Sequence, residues 1–71
     1  MFISKEKVEE LRREYPAGCR VGLLHMDDTQ APPPATCGTV RGVDDAGQIM
    51  VHWDTGSSLS LAPGIDEFRR I

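Results

Sequence analysis

Long apolar runs are missing from this sequence, and so are most of the side chains that chemistry needs. Nothing in it approaches the roughly 18 consecutive apolar residues of a membrane-crossing helix. The opening Met-Phe-Ile-Ser-Lys-Glu also lacks the apolar centre of a secretory signal. A soluble, cytoplasmic protein with no membrane partner is therefore expected. The two cysteines, Cys19 and Cys37, form neither a CxxC pair nor any zinc spacing. They read as small buried hydrophobes with free thiols, or else as one cross-strand disulfide.

Histidine is as scarce. His25 precedes Met-Asp-Asp and His52 precedes Trp-Asp. A His–Asp acid–base or metal pair can be drawn at either place, but both histidines fall at strand ends beside turns, and too few ligands surround them. No catalytic residue, metal or cofactor is expected, and the chain reads as a non-enzyme. Basic charge is also short, with 8 Lys+Arg against 11 Asp+Glu and a net charge of −3. Nucleic acid demands a basic face that displaces counterions, so generic DNA or RNA binding is disfavoured.

What is present describes one small, mainly β domain. A chain of 71 residues has room for one domain, 1–71, and a thin core that buries roughly 60% of its unfolded surface. Such small barrels gain support from self-association, which makes a homo-oligomer a natural expectation. Residues 4–15 read as a helix, with Ser4 as its cap, Pro16 as its stop and Val8, Leu11 and Tyr15 as an apolar stripe. Five strand-like runs follow: 19–24, 37–43, 48–53, 57–61 and 67–71. A long proline-bearing loop, 25–36, separates the first two, and the turns Asp45-Ala-Gly47 and Asp54-Thr-Gly56 mark a meander. Five short strands with a long first loop predict an SH3-like five-stranded barrel over 19–71, preceded by one short helix.

Four sets of side chains are candidates for binding. Trp53 lies at the end of the best strand, where alternation puts it with Ile49 and Val51. It is either core or a platform on which a base stacks. Arg20, Arg41, Arg69 and Arg70 carry planar forks suited to phosphate, and Ser57 and Ser58 after Gly56 offer hydroxyls and free amides. Asp27 and Asp28 open the long loop beside Met26 and could accept hydrogen bonds from a base edge or ribose. Asp44-Asp45 is better read as turn chemistry.

From Cys19 onward the chain resembles an uncharacterised family of small bacterial and phage proteins, known only as a domain of unknown function. The likeness is carried by Met26-Asp-Asp28, Pro33-Pro34 with Thr36, Gly38-Thr-Val40, Val43-Asp-Asp-Ala-Gly47, His52-Trp-Asp54, Gly56-Ser-Ser-Leu59 and Pro63-Gly-Ile-Asp66. Two positions depart from the family's pattern, Thr29 where proline is usual and Ala35 where glycine is usual. The resemblance implies a phage or mobile-element setting, in the host cytoplasm, and a role in the contest with the host. Small non-catalytic proteins of that kind bind and sequester. The sharpest expectation is a protein that sequesters a small nucleotide-derived host-defence signal, of cyclic nucleotide or ADP-ribose type. Its ligand set would be Trp53, Arg20, Arg41, Met26, Asp27, Asp28, Ser57 and Ser58. The alternative is a protein–protein interaction module that inhibits or adapts a larger partner through the barrel edge and the Val8, Leu11 and Tyr15 stripe.

Overall fold

The structure, a computed structural model, describes residues 4–71. Residues 1–3, which the single-domain expectation includes and which hold Phe2, lie outside the described residues. The chain runs α1 (Lys5–Glu14), β1 (Arg20–His25), β2 (Cys37–Val43), β3 (Ile49–Trp53) and β4 (Glu67–Arg70). The four strands form one antiparallel sheet in the order β3-β2-β1-β4.

The helix starts where Ser4 accepts the Lys7 amide at 3.1 Å, closing an orphan donor of the first turn. It ends at Tyr15, whose amide donates to the Leu11 carbonyl, and Pro16 follows. Val8 and Leu11 are buried, while Tyr15 meets Phe68 of β4 edge-on, with ring centroids 5.6 Å apart. The apolar stripe thus packs on the chain's own sheet. Two arginine clamps hold the helix down. Arg12 donates to the Val43 carbonyl from Nε at 3.1 Å and Nη2 at 3.0 Å, and Arg70 donates to the Glu14 carbonyl at 2.9 Å.

Alternation along the strands builds the rest of the core. Val21 and Leu23 of β1, Val40 and Val43 of β2, and Ile49, Val51 and Trp53 of β3 all face inward, joined by Leu61 from the segment after β3. Trp53 lies opposite Gly38 in the ladder. Its bulk is accommodated because that partner has no side chain. A Cβ on Gly38 would come within 2.6 Å of Val51 Cγ1 and 2.8 Å of Trp53 Cε3. A bulge between Val40 and Gly42 adds an extra residue to β2, and Gly42 has the positive φ of 152° that goes with it.

Residues 57–61 do not form the fourth strand expected of them. They lie along the outer edge of β3, tied by the Trp53 amide to the Ser57 carbonyl and by a mutual amide–carbonyl pair between Ile49 and Leu61. Between those ties the Trp53 indole takes the Leu59 carbonyl at 2.9 Å, so the side-chain bond stands in the middle of the segment where a ladder would run. The described residues thus hold a mainly β fold with one helix and an unclosed four-stranded sheet, and not five strands in a closed barrel.

The 26–36 loop is ordered by its own turns. Asp28 Oδ1 accepts the Gln30 amide at 2.8 Å, Pro32 is buried, and Thr36 bonds back to the Pro33 carbonyl through both its amide and its hydroxyl. Pro34 and Ala35 are the central residues of that last turn. Ala35 has φ 72°, the value that the third position of a type II turn requires and that glycine adopts without strain.

Candidate functional site

The outward residues of β3 are Met50 and His52, since Ile49, Val51 and Trp53 take the inner face. On β2 the bulge leaves Arg41 as the exposed extra residue between buried Val40 and half-buried Gly42. The segment tied to the β3 edge supplies Ser58 and Ser60, and the Trp53 indole bond to Leu59 fixes the residue between them. Together Arg41, Met50, Val51, His52, Ser58 and Ser60 line an open groove of about 500 Å³. That volume lies within the range of small-molecule sites.

Charge decides what the groove can hold. It contains a guanidinium, an imidazole and two hydroxyls, and none of its six lining residues is a carboxylate. Arg41 makes no ion pair among the described residues, whereas three other arginines are committed. Arg12 holds Val43 and Asp45, Arg70 holds Glu14, and Arg20 is locked in a two-pronged fork on Asp54. The Arg20 prongs are 2.8 and 2.6 Å long, and its Nη1 also donates to Thr39 Oγ1 at 3.0 Å. That hydrogen-bonded fork holds the Asp54 carboxyl below its ordinary value against the opposing effect of desolvation, and the Arg20 charge adds to the lowering. The same bond raises the Arg20 guanidinium. Arg20 therefore offers the Nη1–Nη2 fork to a phosphate only by leaving its carboxylate.

The expected ligand set is dispersed. Arg41 and Ser58 meet in the groove, and neither Met26, Asp27, Asp28, Arg20, Ser57 nor Trp53 lines it. In place of a stacking platform, Trp53 is 0% exposed, with its N–H already bonded. Met26 packs partly buried against the core, and Asp28 spends an oxygen on its own turn. Ser57 accepts the Trp53 amide at its carbonyl and does not line the groove. Asp44 performs the turn chemistry expected of it, with Oδ1 accepting the Ala46 and Gln48 amides at 3.0 and 2.9 Å. His52 and Ser60 belong to the groove and were not in the expected set. The signal for them was the two-residue alternation that pairs Met50 with His52 and Ser58 with Ser60.

A second, smaller groove of about 280 Å³ opens on the β1–β4 side, where Leu24, Pro34, Arg69 and Ile71 meet. Leu24 is 48% and Ile71 66% exposed there. Both cysteines are free and half-buried. Among the described residues no cluster of three or more His, Cys, Asp or Glu side chains could hold a metal ion. No helix among them is long and apolar enough to cross a membrane.

The family described as Domain of unknown function (DUF4314) matches residues 4–71, nearly the whole chain. The chain belongs to that family. Membership extends the likeness seen from Cys19 onward back through the helix, and the family's description carries no activity, ligand or partner. No curated protein and no solved structure matches the chain.

Proposed function

We propose that this chain is a non-catalytic binding protein that holds a small, anionic, nucleotide-derived ligand in the groove beside Arg41. One observation carries the reading: an uncommitted guanidinium faces an imidazole and two hydroxyls in a groove lined by no carboxylate. Arginine presents a planar pair of donors matched to phosphate oxygens, and the neighbouring hydroxyls add donors that follow the anion. The reading treats the open sheet, with 57–61 along its β3 edge, as a variant of an SH3-like barrel. Resemblance to phage and mobile-element proteins supports the finer version, in which the ligand is a host-defence signal that the protein sequesters in the cytoplasm. Arg41, His52, Ser58 and Ser60 are the binding residues in this proposal, with Met50 as the apolar floor. Trp53 acts only by anchoring the wall that carries the two serines.

A thermal-shift screen of the purified protein tests this directly, using mono- and dinucleotides, cyclic oligonucleotides and cyclic ADP-ribose isomers. A ligand that binds only the folded chain at 100 times its Kd adds about 2.7 kcal/mol. In a domain of this size that raises the melting temperature by roughly 10 °C or more. The expected result is at least one such rise, abolished by Arg41→Ala and kept by Arg20→Ala. A flat screen overturns the proposal.

The exposed pair Leu24 and Ile71 favours a second reading, contact with another polypeptide or a second copy of this chain at the β1–β4 groove. Light scattering during size exclusion, with Leu24→Ser as the control, separates a self-associating chain from a monomer.

A further inference from the structure

The groove is chemically one-sided. Among its six lining residues are one guanidinium, one imidazole, two hydroxyls and one thioether; none of them is a carboxylate or a carboxamide, and the one aromatic face is the small His52 ring. Telling one base from another takes paired donors and acceptors set against a base edge, which carboxamides supply for adenine, carboxylates for cytosine and an arginine fork for guanine. Holding a base regardless of its identity takes an aromatic face to stack on. Beyond Arg41 and the His52 ring, neither is at hand. Trp53 is enclosed in the core, Tyr15 and Phe68 pack edge-on against each other, and Asp27 and Asp28 do not line the groove. A phosphate asks for less. It needs a cation and several N–H or O–H donors around tetrahedral oxygens, and Arg41, His52, Ser58 and Ser60 provide those on three adjoining stretches of chain. The Trp53–Leu59 bond, on a fully buried indole, holds the serine-bearing wall in place before any ligand arrives.

We infer that the groove recognises the phosphoryl part of its ligand and is indifferent to the base. Its ligand class is then phosphate esters and pyrophosphates, with sugar and base lying over Met50 toward solvent. This rests on the reading of the Arg41 groove as an anion site, and it narrows that reading from nucleotides to their phosphates.

Calorimetric titration of the full chain with three probes, sodium pyrophosphate, ADP and adenosine, tests it. The expected result is pyrophosphate and ADP affinities within about threefold of each other, and adenosine binding at least 30-fold weaker. Arg41→Ala should weaken both anions at least tenfold. Arg41→Lys should recover part of that loss, and Arg20→Ala should change either affinity less than twofold. Circular dichroism confirms that each variant is folded, as substitution of exposed side chains predicts. If ADP binds more than tenfold tighter than pyrophosphate, or adenosine matches ADP, the base is read. Phosphate-first recognition then falls while nucleotide binding stands. Anion binding that ignores Arg41→Ala overturns the placement. If no probe binds, this inference and the anion-site reading fall together.

Discussion

Replacing Gly38 by alanine adds one methyl group at the most crowded point of the sheet. Gly38 sits opposite Trp53, and a Cβ there would lie 2.6 Å from Val51 Cγ1, 2.8 Å from Trp53 Cε3 and 3.0 Å from the His52 carbonyl oxygen. Real Cβ atoms do not tolerate such distances, so something must move. None of the neighbours moves cheaply. Val51 and Trp53 are fully buried, and the indole is fixed by its bond to Leu59. Overpacking of this kind costs roughly 1–3 kcal/mol. The whole chain is worth only about 4–10 kcal/mol at ~0.05–0.15 kcal/mol per residue. At ~4–8 °C per kcal/mol for a domain of this size, Gly38→Ala should lower the melting temperature by at least about 4 °C and by as much as ~24 °C. Gly22→Ala is the matched control. Its Cβ would stand 3.4 Å from Ile71 Cδ1, the end of an exposed side chain, and its melting point should stay within ~2 °C of the parent. Thermal denaturation followed by circular dichroism and by Trp53 fluorescence measures both. A Gly38→Ala protein as stable as the parent would refute the packing of Trp53 across Gly38, and with it the β2–β3 register.

Other outcomes follow from the same structure. Ala35→Gly should raise the melting temperature, because the left-handed conformation costs an L-residue roughly 1–2 kcal/mol while glycine adds about 0.4–1 kcal/mol of unfolded-state entropy; a lower melting point would contradict the φ of 72°. Arg12→Ala should cost about 1–2 kcal/mol in a urea titration through the lost bonds to the Val43 carbonyl. Asp45→Ala should cost under ~0.5 kcal/mol, since that ion pair ends on a fully exposed carboxylate. Asp54, whose carboxyl lies below its ordinary value in the fold, stabilises the chain above that value and loses the contribution as pH falls through the lowered one. The melting-point gap between parent and Asp54→Asn should therefore be steady at neutral pH and shrink in acid; a gap that widens in acid would contradict the fork with Arg20.

Local signals made most of the fold legible. Ser4 and Pro16 bracket the helix, and its stripe of Val8, Leu11 and Tyr15 is its inner face. Alternation places Ile49, Val51 and Trp53 together, and the bounds of 37–43 agree with β2. Residues 57–61 misled because Ser57-Ser-Leu-Ser-Leu61 alternates like a strand while its middle is claimed by an indole N–H, a bond no periodicity shows. The residues of the candidate groove were less legible, for a related reason. Arg20 reads as an anion binder until Asp54, 34 residues away, occupies its fork. Met26, Asp27 and Asp28 are contiguous with a suggestive histidine, but the loop spends Met26 on packing and Asp28 on its own turn, and none of the three lines the groove. Arg41 and Ser58 were expected and do converge. They needed His52 and Ser60 to make a groove, and those come from the exposed halves of an alternation whose buried halves build the core.

The most direct measurement maps where an anion lands. Titrating sodium pyrophosphate into the ¹⁵N-labelled chain should move the amide resonances of Arg41, Met50 to His52 and Ser58 to Ser60, and leave those of Leu24, Pro34-flanking residues and Ile71 in place. Shifts confined instead to the β1–β4 groove beside Arg69, or no saturable shift at all, would contradict the assignment of the Arg41 groove as the binding site.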